Sequence, residues 1–570
     1  MMKTNFFLSK FFPNSSHRGQ ICDVHSPFQL RAGAREVTHE VARHGALDRA
    51  ESELVHRSRI GAYRPHTLHL TWGPRELGDR EEETPPTEYR WGENTMWPPP
   101  KAVELRVVDR LLTKAQLEVI KEEMRRHGTE LEYLHFGTPE CRSDEVVVTK
   151  HSLQPIPVNP AEVIASFQVA PKLKILSLDL SNAESVQNSA ACAEVVNGIV
   201  TALHHLPSLE RFALALEGGA PRPDSIALLF DKTSHVRTLK AFFLSLSESH
   251  GFGKNNVELR EAWRSLAKMS SLEELHIYMN NFLDDDMQVN DAAIADLCEA
   301  VQSLSALGSV RLEFGVSETT FASAARALEL GTELPLRTLH VRDYRDEAPE
   351  AQAPIVGGND PMWQAAPPLA LEQLTLEVKG MPYSMRNIVD LFAWIGSART
   401  LKSLSLDISS IREIGANNSL SRHIFRKLSA LTLLETLVIR TNANVLMDDA
   451  VVMALDEALR NMPWLRTLRL EMDGAACTDD ALDRLFDTVA NELDYMVSVY
   501  VQARGCEKIN EGTVRQLMAF HFTNTNVTAT VVLSPVFEGA PQPEDAQRDA
   551  GQLDEAHRHA ARPAETRLTC

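Results

Sequence analysis

Apolar residues recur along this chain in one short phrase, L-x-x-L-x-L. It stands as LEYLHF at 131, LKILSL at 173, LERFAL at 209, LEELHI at 272, LGSVRL at 307 and LRTLHV at 336. It continues as LEQLTL at 371, LKSLSL at 401, LETLVI at 434 and LRTLRL at 465, with a weaker copy AVELRV at 102 and another, VRTLKA at 236, against which Leu244 and Leu246 offer a competing frame. From 102 to 465 there are eleven steps over 363 residues, a mean of 33. The last two apolar positions of the phrase lie two apart, so they share one face of a short strand. Between phrases the period becomes helical: in DDAVVMALDEALRNM, Val451, Ala454, Leu455 and Leu459 fall on one face. NDAAIADLCEAVQSL and DDALDRLFDTVANEL follow the same rule. A strand and a helix cannot bury both apolar faces alone, so neighbouring units must stack. The pattern predicts an α/β solenoid of about a dozen repeats, with Leu134, Leu176, Leu275, Leu339, Leu404, Leu437 and Leu468 buried under a parallel sheet. One more strand is expected where Val497, Val499 and Val501 alternate.

Outside this repeat the pattern changes. Residues 1–60 show little periodicity and read as a mostly disordered leader, with a helix expected near 33–57. Residues 61–101 carry Trp72, Trp91 and Trp97 with many prolines and read as an N-terminal cap over the open end of the stack. Repeats then occupy 102–508, a C-terminal cap 509–537, and a polar, Pro/Ala-rich disordered tail 538–570. The 343–369 stretch replaces a helix with five prolines and Gly357-Gly358, which cannot sustain one. It carries Trp363 and reads either as a binding loop or as a divergent linker.

The phrases LETLVIRTNANVLMDDAVVMALDEAL and LEELHIYMNNFLDDDMQVNDAAIADLCEAV resemble ribonuclease-inhibitor-type leucine-rich repeats. In the position where such repeats often carry Asn, this chain has Asn280 and Asn442, elsewhere Ser181, Ser409 and Asp473 or Tyr344 and Lys379, so the ladder is degenerate. It departs from the subclass at Asp291-Ala292, Asp449-Ala450 and Asp480-Ala481, where Gly-Ala is common. The resemblance implies a horseshoe with parallel strands on the concave face and helices on the convex face. Gala-type bacterial effectors contain similar repeats after an F-box; WPPPKAVELRVVDRLL reads here as a first strand and not as an F-box.

Charge and chemistry narrow the function. With 58 Lys plus Arg against 78 Asp plus Glu, the net charge is −20, which disfavours nucleic-acid binding. No run of about 18 apolar residues could span a membrane. Seven cysteines are scattered singly, as in a reducing compartment. No nucleotide-binding glycine motif, HExxH, CxxC or G-x-S-x-G is present, and His39 and His44 are spaced wrongly for shared zinc ligation on a helix. Gly218-Gly219 reads as a turn, and Cys477 as part of a repeat whose helix is capped by Thr478 or Asp479. No enzyme, cofactor or metal is expected.

What remains is a surface. Residues between the paired apolar positions point outward onto the strand-lined face. Among them His276, Tyr278, Arg311, Glu313, His340 and Arg342, bordered by Trp363, form the expected partner-binding patch. Two imidazoles and two guanidiniums in an acidic protein predict a locally cationic spot and a protein partner with an acidic segment. Replacing Tyr278, Arg311 and Arg342 by Ala is then expected to abolish capture and spare thermal stability. The function expected is a protein-interaction scaffold, either a type III secreted bacterial effector acting in a host cytoplasm without a classical signal peptide, or a substrate-recognition subunit of a ubiquitin ligase. The leader MMKTNFFLSKFFPNSSHRGQ admits a secretion signal, a transit peptide or a plain frayed end.

Overall fold

All but one of the repeat phrases form a strand, and from β1 to β10 and from β11 to β17 each strand pairs in parallel with its neighbour in sequence. The computed structural model describes residues 170–533, apart from 182–185, 187, 248, 250–255, 281–290, 316–320, 344–367, 369, 379–384, 410–417, 442–446 and 524. It also describes 131–137 and strands at 21–23, 36–40, 67–72, 102–107 and 566–569. The chain divides into two compact units, Met1–Glu318 and Thr319–Cys570.

The first unit carries β1 (Ile21–Asp23), β2 (Glu36–Glu40), β3 (Thr67–Trp72), β4 (Ala102–Val107), β5 (Tyr133–Gly137) and β6 (Ile175–Asp179). It continues with β7 (Arg211–Ala215), β8 (Ala241–Ser245), β9 (Glu274–Asn280) and β10 (Ser309–Gly315), every consecutive pair parallel. β1 and β2 stand within the stretch expected to be a disordered leader, and β2 lies where a helix was considered. The helices between strands are α1 (Ser189–Leu203), α2 (Pro223–Thr233), α3 (Asn256–Leu266) and α4 (Asp291–Gln302), each packed on the next.

The second unit opens with α5 (Phe321–Glu333), β11 (Thr338–Asp343) and β12 (Gln373–Glu377). Then α6 (Met385–Ser397), β13 (Ser403–Asp407), α7 (Asn418–Arg426) with a 3-10 turn at Lys427–Ala430, β14 (Thr436–Arg440) and α8 (Asp449–Leu459) follow. β15 (Thr467–Glu471), α9 (Asp479–Asn491), β16 (Ser498–Gln502), α10 (Glu511–Phe522) and β17 (Thr528–Leu533) complete the alternation. β11 to β17 pair in parallel, and β18 (Thr566–Thr569) lies antiparallel on β17, covering an edge that would otherwise expose backbone donors and acceptors. Both units are thus α/β, with parallel strands alternating with helices in a solenoid-like manner.

The core lies between sheet and helices. Leu134, Leu176, Leu275, Leu339, Leu404, Leu437 and Leu468 are all fully buried. Register stacks Leu339, Leu374, Leu404, Leu437, Leu468 and Val499 into one column. From the helix side, Val451, Ala454, Leu455 and Leu459 of α8 close over it. One repeat settles between the two frames that its sequence offers. VRTLKA at 236 is not the strand phrase; Leu239, Phe242 and Leu244 fill the three apolar positions, with Phe242 opposite Phe212 and Leu244 opposite Leu214. Val236 and Leu239 in VRTLKA offer a rival frame three residues early, whereas Phe242 fills the middle position just as Phe212 does in LERFAL.

Polar groups at the repeat ends follow from backbone geometry. After β6 and β13 the chain turns, and the Asp179 and Asp407 carboxylates accept the backbone N–H of Ser181 and Ser409, each at 3.1 Å. The glycine pair at 218–219 is a turn as expected: Gly218 has φ 68°, and a Cβ on Gly219 would sit 2.8 Å from the Leu216 carbonyl oxygen. At the helix starts, Asp448 caps α8 by accepting from the Val451 N–H at 3.0 Å. Asp449 instead reaches the next repeat, accepting from the Thr478 N–H at 2.6 Å and the Thr478 hydroxyl at 3.0 Å. Asp479 repeats this toward the Asn510 N–H at 2.9 Å. Asp449, which stands where Gly-Ala is common, and Asp479, one residue before such a position, therefore tie successive helix N-termini together.

Candidate functional site

The outward positions of the second unit form two continuous columns. Thr375, Ser405, Val438, Arg469 and Tyr500 stand side by side on β12 to β16, and Glu377, Asp407, Arg440, Glu471 and Gln502 form the next column. On β11 to β14, inward residues are buried and most outward ones only half-buried, the alternation that a sheet shows when one face is packed and the other open. Charges on this face are matched locally. Arg342 on β11 pairs with Glu377 at 2.9 Å, Arg440 with Glu471 at 3.3 Å, and the Arg469 guanidinium, bound to Glu471, lies 4.5 Å from the Tyr500 ring centre. The Tyr500 hydroxyl donates to Gln502 at 3.0 Å, and Gln502 donates to Asp473 at 2.8 Å. Tyr500 and Gln502 were absent from the sequence-derived patch. The alternation of Val499 and Val501 was the signal that turns them outward.

The first unit differs at the same positions. Ala213, Ala215, Ala241, Phe243 and Tyr278, all outward by register, form a buried apolar cluster. His276 and Tyr278 on β9 stand opposite Arg311 and Glu313 on β10. Arg311 Nε donates to Glu313 at 2.8 Å, its guanidinium carbon lies 5.3 Å from the Tyr278 ring centre, and the Tyr278 hydroxyl stands 3.5 Å from His276 Nδ1. His276 Nε2 faces Glu274 at 3.3 Å, and its ring meets Phe243 edge-on at 4.5 Å. Burial holds the His276 pKa below its ordinary value, against the pull of Glu274, so the ring is neutral at neutral pH. Burial raises the Tyr278 phenol. For Glu274 burial pulls upward, but the hydrogen bond from His276 and the charge of Arg211 bring the net shift down.

Of the seven residues expected to bind a partner, the structure brings four together: His276, Tyr278, Arg311 and Glu313. Tyr278 and Glu313 are fully buried and His276 nearly so; they are a packed network and not exposed anchors. His340 and Arg342 stand on β11 of the second unit, and Trp363 lies outside the described residues. The expected cationic spot is neutralised: Arg311 is spent on Glu313, Arg342 on Glu377, and His276 is uncharged. That removes the electrostatic reason for an acidic partner at this place.

Reactive chemistry is disfavoured at three buried cysteines, Cys192, Cys477 and Cys506. Cys477, buried with Cys506 nearby, has its thiol pushed up to about 12 by desolvation, and burial likewise raises Cys192 to about 12 and Cys506 to about 11. Thiols held protonated in this way are poor nucleophiles. Among the described residues, no group of three or more His, Cys, Asp or Glu could hold a metal ion, and no helix is long and apolar enough to cross a membrane. In comparisons with known proteins, no family model matches the chain, and no curated protein matches it.

Proposed function

We propose that the chain is a non-catalytic protein-interaction scaffold that engages its partner through the outward face of β12 to β16. The observation that carries this reading is the pair of in-register columns running from Thr375 to Tyr500 and from Glu377 to Gln502 across five adjacent strands. Neighbouring strands stand about 4.8 Å apart, so each column offers a partner a row of side chains roughly 19 Å long. The side chains are fixed by each other, as Arg469 is by Glu471 and Tyr500. Fixed Arg and Tyr side chains lose little entropy on binding and are frequent interface anchors. Because the charges are already matched, recognition rests on shape and hydrogen bonding more than on long-range attraction. Concave sheets of solenoids are commonly used in this way, and the resemblance to leucine-rich repeats points in the same direction.

The test places bulk on the face without touching the core. Proximity labelling of the full chain identifies partners, and each is then purified and titrated against the wild type and the S405R/V438R double variant. Ser405 and Val438 are neighbours in one column and are only half-buried. The expected result is at least an about tenfold loss of affinity with unchanged thermal stability. Partners that bind the double variant as well as the wild type would remove the outward face from consideration.

A further inference from the structure

All six exposed large apolar side chains among the described residues fall between Leu433 and Phe520, in the second unit. Three of them occupy one repeat position. Leu433, Trp464 and Tyr495 each stand three residues before the start of a strand, at the rim where a helix ends and the chain enters β14, β15 and β16. They are 45%, 46% and 46% exposed, and Val497, just before β16, is 57% exposed. Parallel pairing of the strands sets them in a row, and the Trp464 and Tyr495 rings stack with centres 4.9 Å apart at 27°. The adjoining positions at Leu434, Leu465 and Met496 are buried, so the row is a rim on a rigid wall and not a loose loop. Neither the Trp464 indole N–H nor the Tyr495 hydroxyl has a hydrogen-bond partner among the described residues. A row of large apolar groups with open polar tips, repeated at one position over three successive repeats, is not explained by packing.

Charge decides what such a row would hold. Residues 431–533 contain 8 Lys plus Arg against 15 Asp plus Glu, a net of −7. Exposed Glu435 and Asp494 flank the row, with Arg466 as the opposing base beside Trp464. The helices α8 and α9 end here, bringing the negative ends of their dipoles to the same rim. Arg460, the base at the end of α8, is committed to Asp456 and Glu492 at 3.3 and 3.4 Å. Guanidinium groups stack on Trp and Tyr faces and pair with carboxylates in one geometry.

We propose that Leu433, Trp464, Tyr495 and Val497 form a docking rim for a basic, arginine-bearing segment of a protein partner. Aliphatic residues of the segment pack on Leu433 and Val497. Its guanidiniums stack on Trp464 and Tyr495 and meet Glu435 and Asp494. This site is distinct from the outward face of β12 to β16.

The full chain is titrated with a short fluorescein-labelled peptide of Gly-Arg-Leu repeats, and with the Gly-Glu-Leu counterpart. The basic peptide binds, and its affinity falls as NaCl rises from about 50 to about 500 mM. W464A/Y495A weakens it by about tenfold or more with melting temperature unchanged, since both side chains are half exposed. E435Q/D494N weakens it and flattens the salt dependence, whereas S405R/V438R leaves it intact, which separates this rim from the outward face. Equal binding by W464A/Y495A, or equal binding of the acidic peptide, overturns the proposal. So does a dimer in sedimentation velocity that W464A/Y495A dissolves and the basic peptide fails to displace, which would assign the rim to a second copy of the chain.

Discussion

At the scale of single residues, Arg311 shows how an outward position can cease to be a surface. Its guanidinium has a carboxylate two residues along its own strand and an aromatic ring on the neighbouring one. Glu313 is fully buried, and the Arg311 guanidinium is a counter-charge bonded to it. Arg311→Ala is therefore expected to cost about 3–5 kcal/mol, because it takes a bonded counter-charge from a buried carboxylate. Replacing both partners, as R311M/E313M, should recover most of that loss. Urea unfolding of both variants checks this; if R311A is neutral, Glu313 has another cation. The burial of Glu313 also reverses the expectation that removing Tyr278, Arg311 and Arg342 together spares stability. The same motif recurs at Arg469, Glu471 and Tyr500 on the second unit, where Arg469 remains exposed. Sequence alternation was enough to say which way these side chains leave the strand. It could not say how deep they lie, since depth depends on neighbouring columns: Ala213 and Ala241 let Phe243 and Tyr278 settle together, where Ser405 and Val438 leave their column open.

At the scale of elements, most of the fold was legible. The apolar phrase gave strand positions because an error of one residue would turn every leucine to solvent. The exception is β8, where Val236 and Leu239 offer a rival frame three residues early. Helix faces were equally readable, as Val451 to Leu459 in α8 show. Contacts between repeats were not, because they depend on which residues of adjacent helices meet. Two glycines illustrate the difference. A Cβ on Gly396, near the end of α6, would lie 2.6 Å from the backbone oxygen of Lys427 in the following repeat. A Cβ on Gly331, inside α5, would meet Leu339 and Trp394 side chains at an ordinary 3.5 Å. Gly396→Ala is expected to destabilise by about 1–3 kcal/mol, as the 3-10 turn must move. Gly331→Ala should stabilise by about 0.5–1 kcal/mol, through helix propensity. Chemical denaturation of the two variants should move their midpoints in opposite directions, and a shift of the same sign in both would contradict this reading of the helix contacts.

At the scale of the whole molecule, stability in a stacked repeat is carried by nearest neighbours, so a complete repeat can be removed without loss of the architecture. The second unit offers a clean case. Deleting residues 467–497 takes out β15 and α9 and joins Arg466 to Ser498, so that β14 would pair directly with β16. Because Thr436 matches Thr467 and Thr467 matches Ser498, the register carries over: Leu437 would face Val499, Ile439 would face Val501, and Arg440 would face Gln502. No like charges are brought together, and Asp449 would meet the Asn510 N–H in place of Thr478. The deletion is expected to keep the per-residue circular dichroism and a cooperative, less stable transition, with the denaturant midpoint lowered. It also removes Tyr495 and Val497, so binding of the basic peptide should fall while the fold persists. Deleting only 467–491 breaks the period, leaves Glu492 to Val497 without a helix behind them, and should abolish cooperative unfolding. If both deletions collapse alike, the units are held by a closed core and not by stacking, and the solenoid description fails with them.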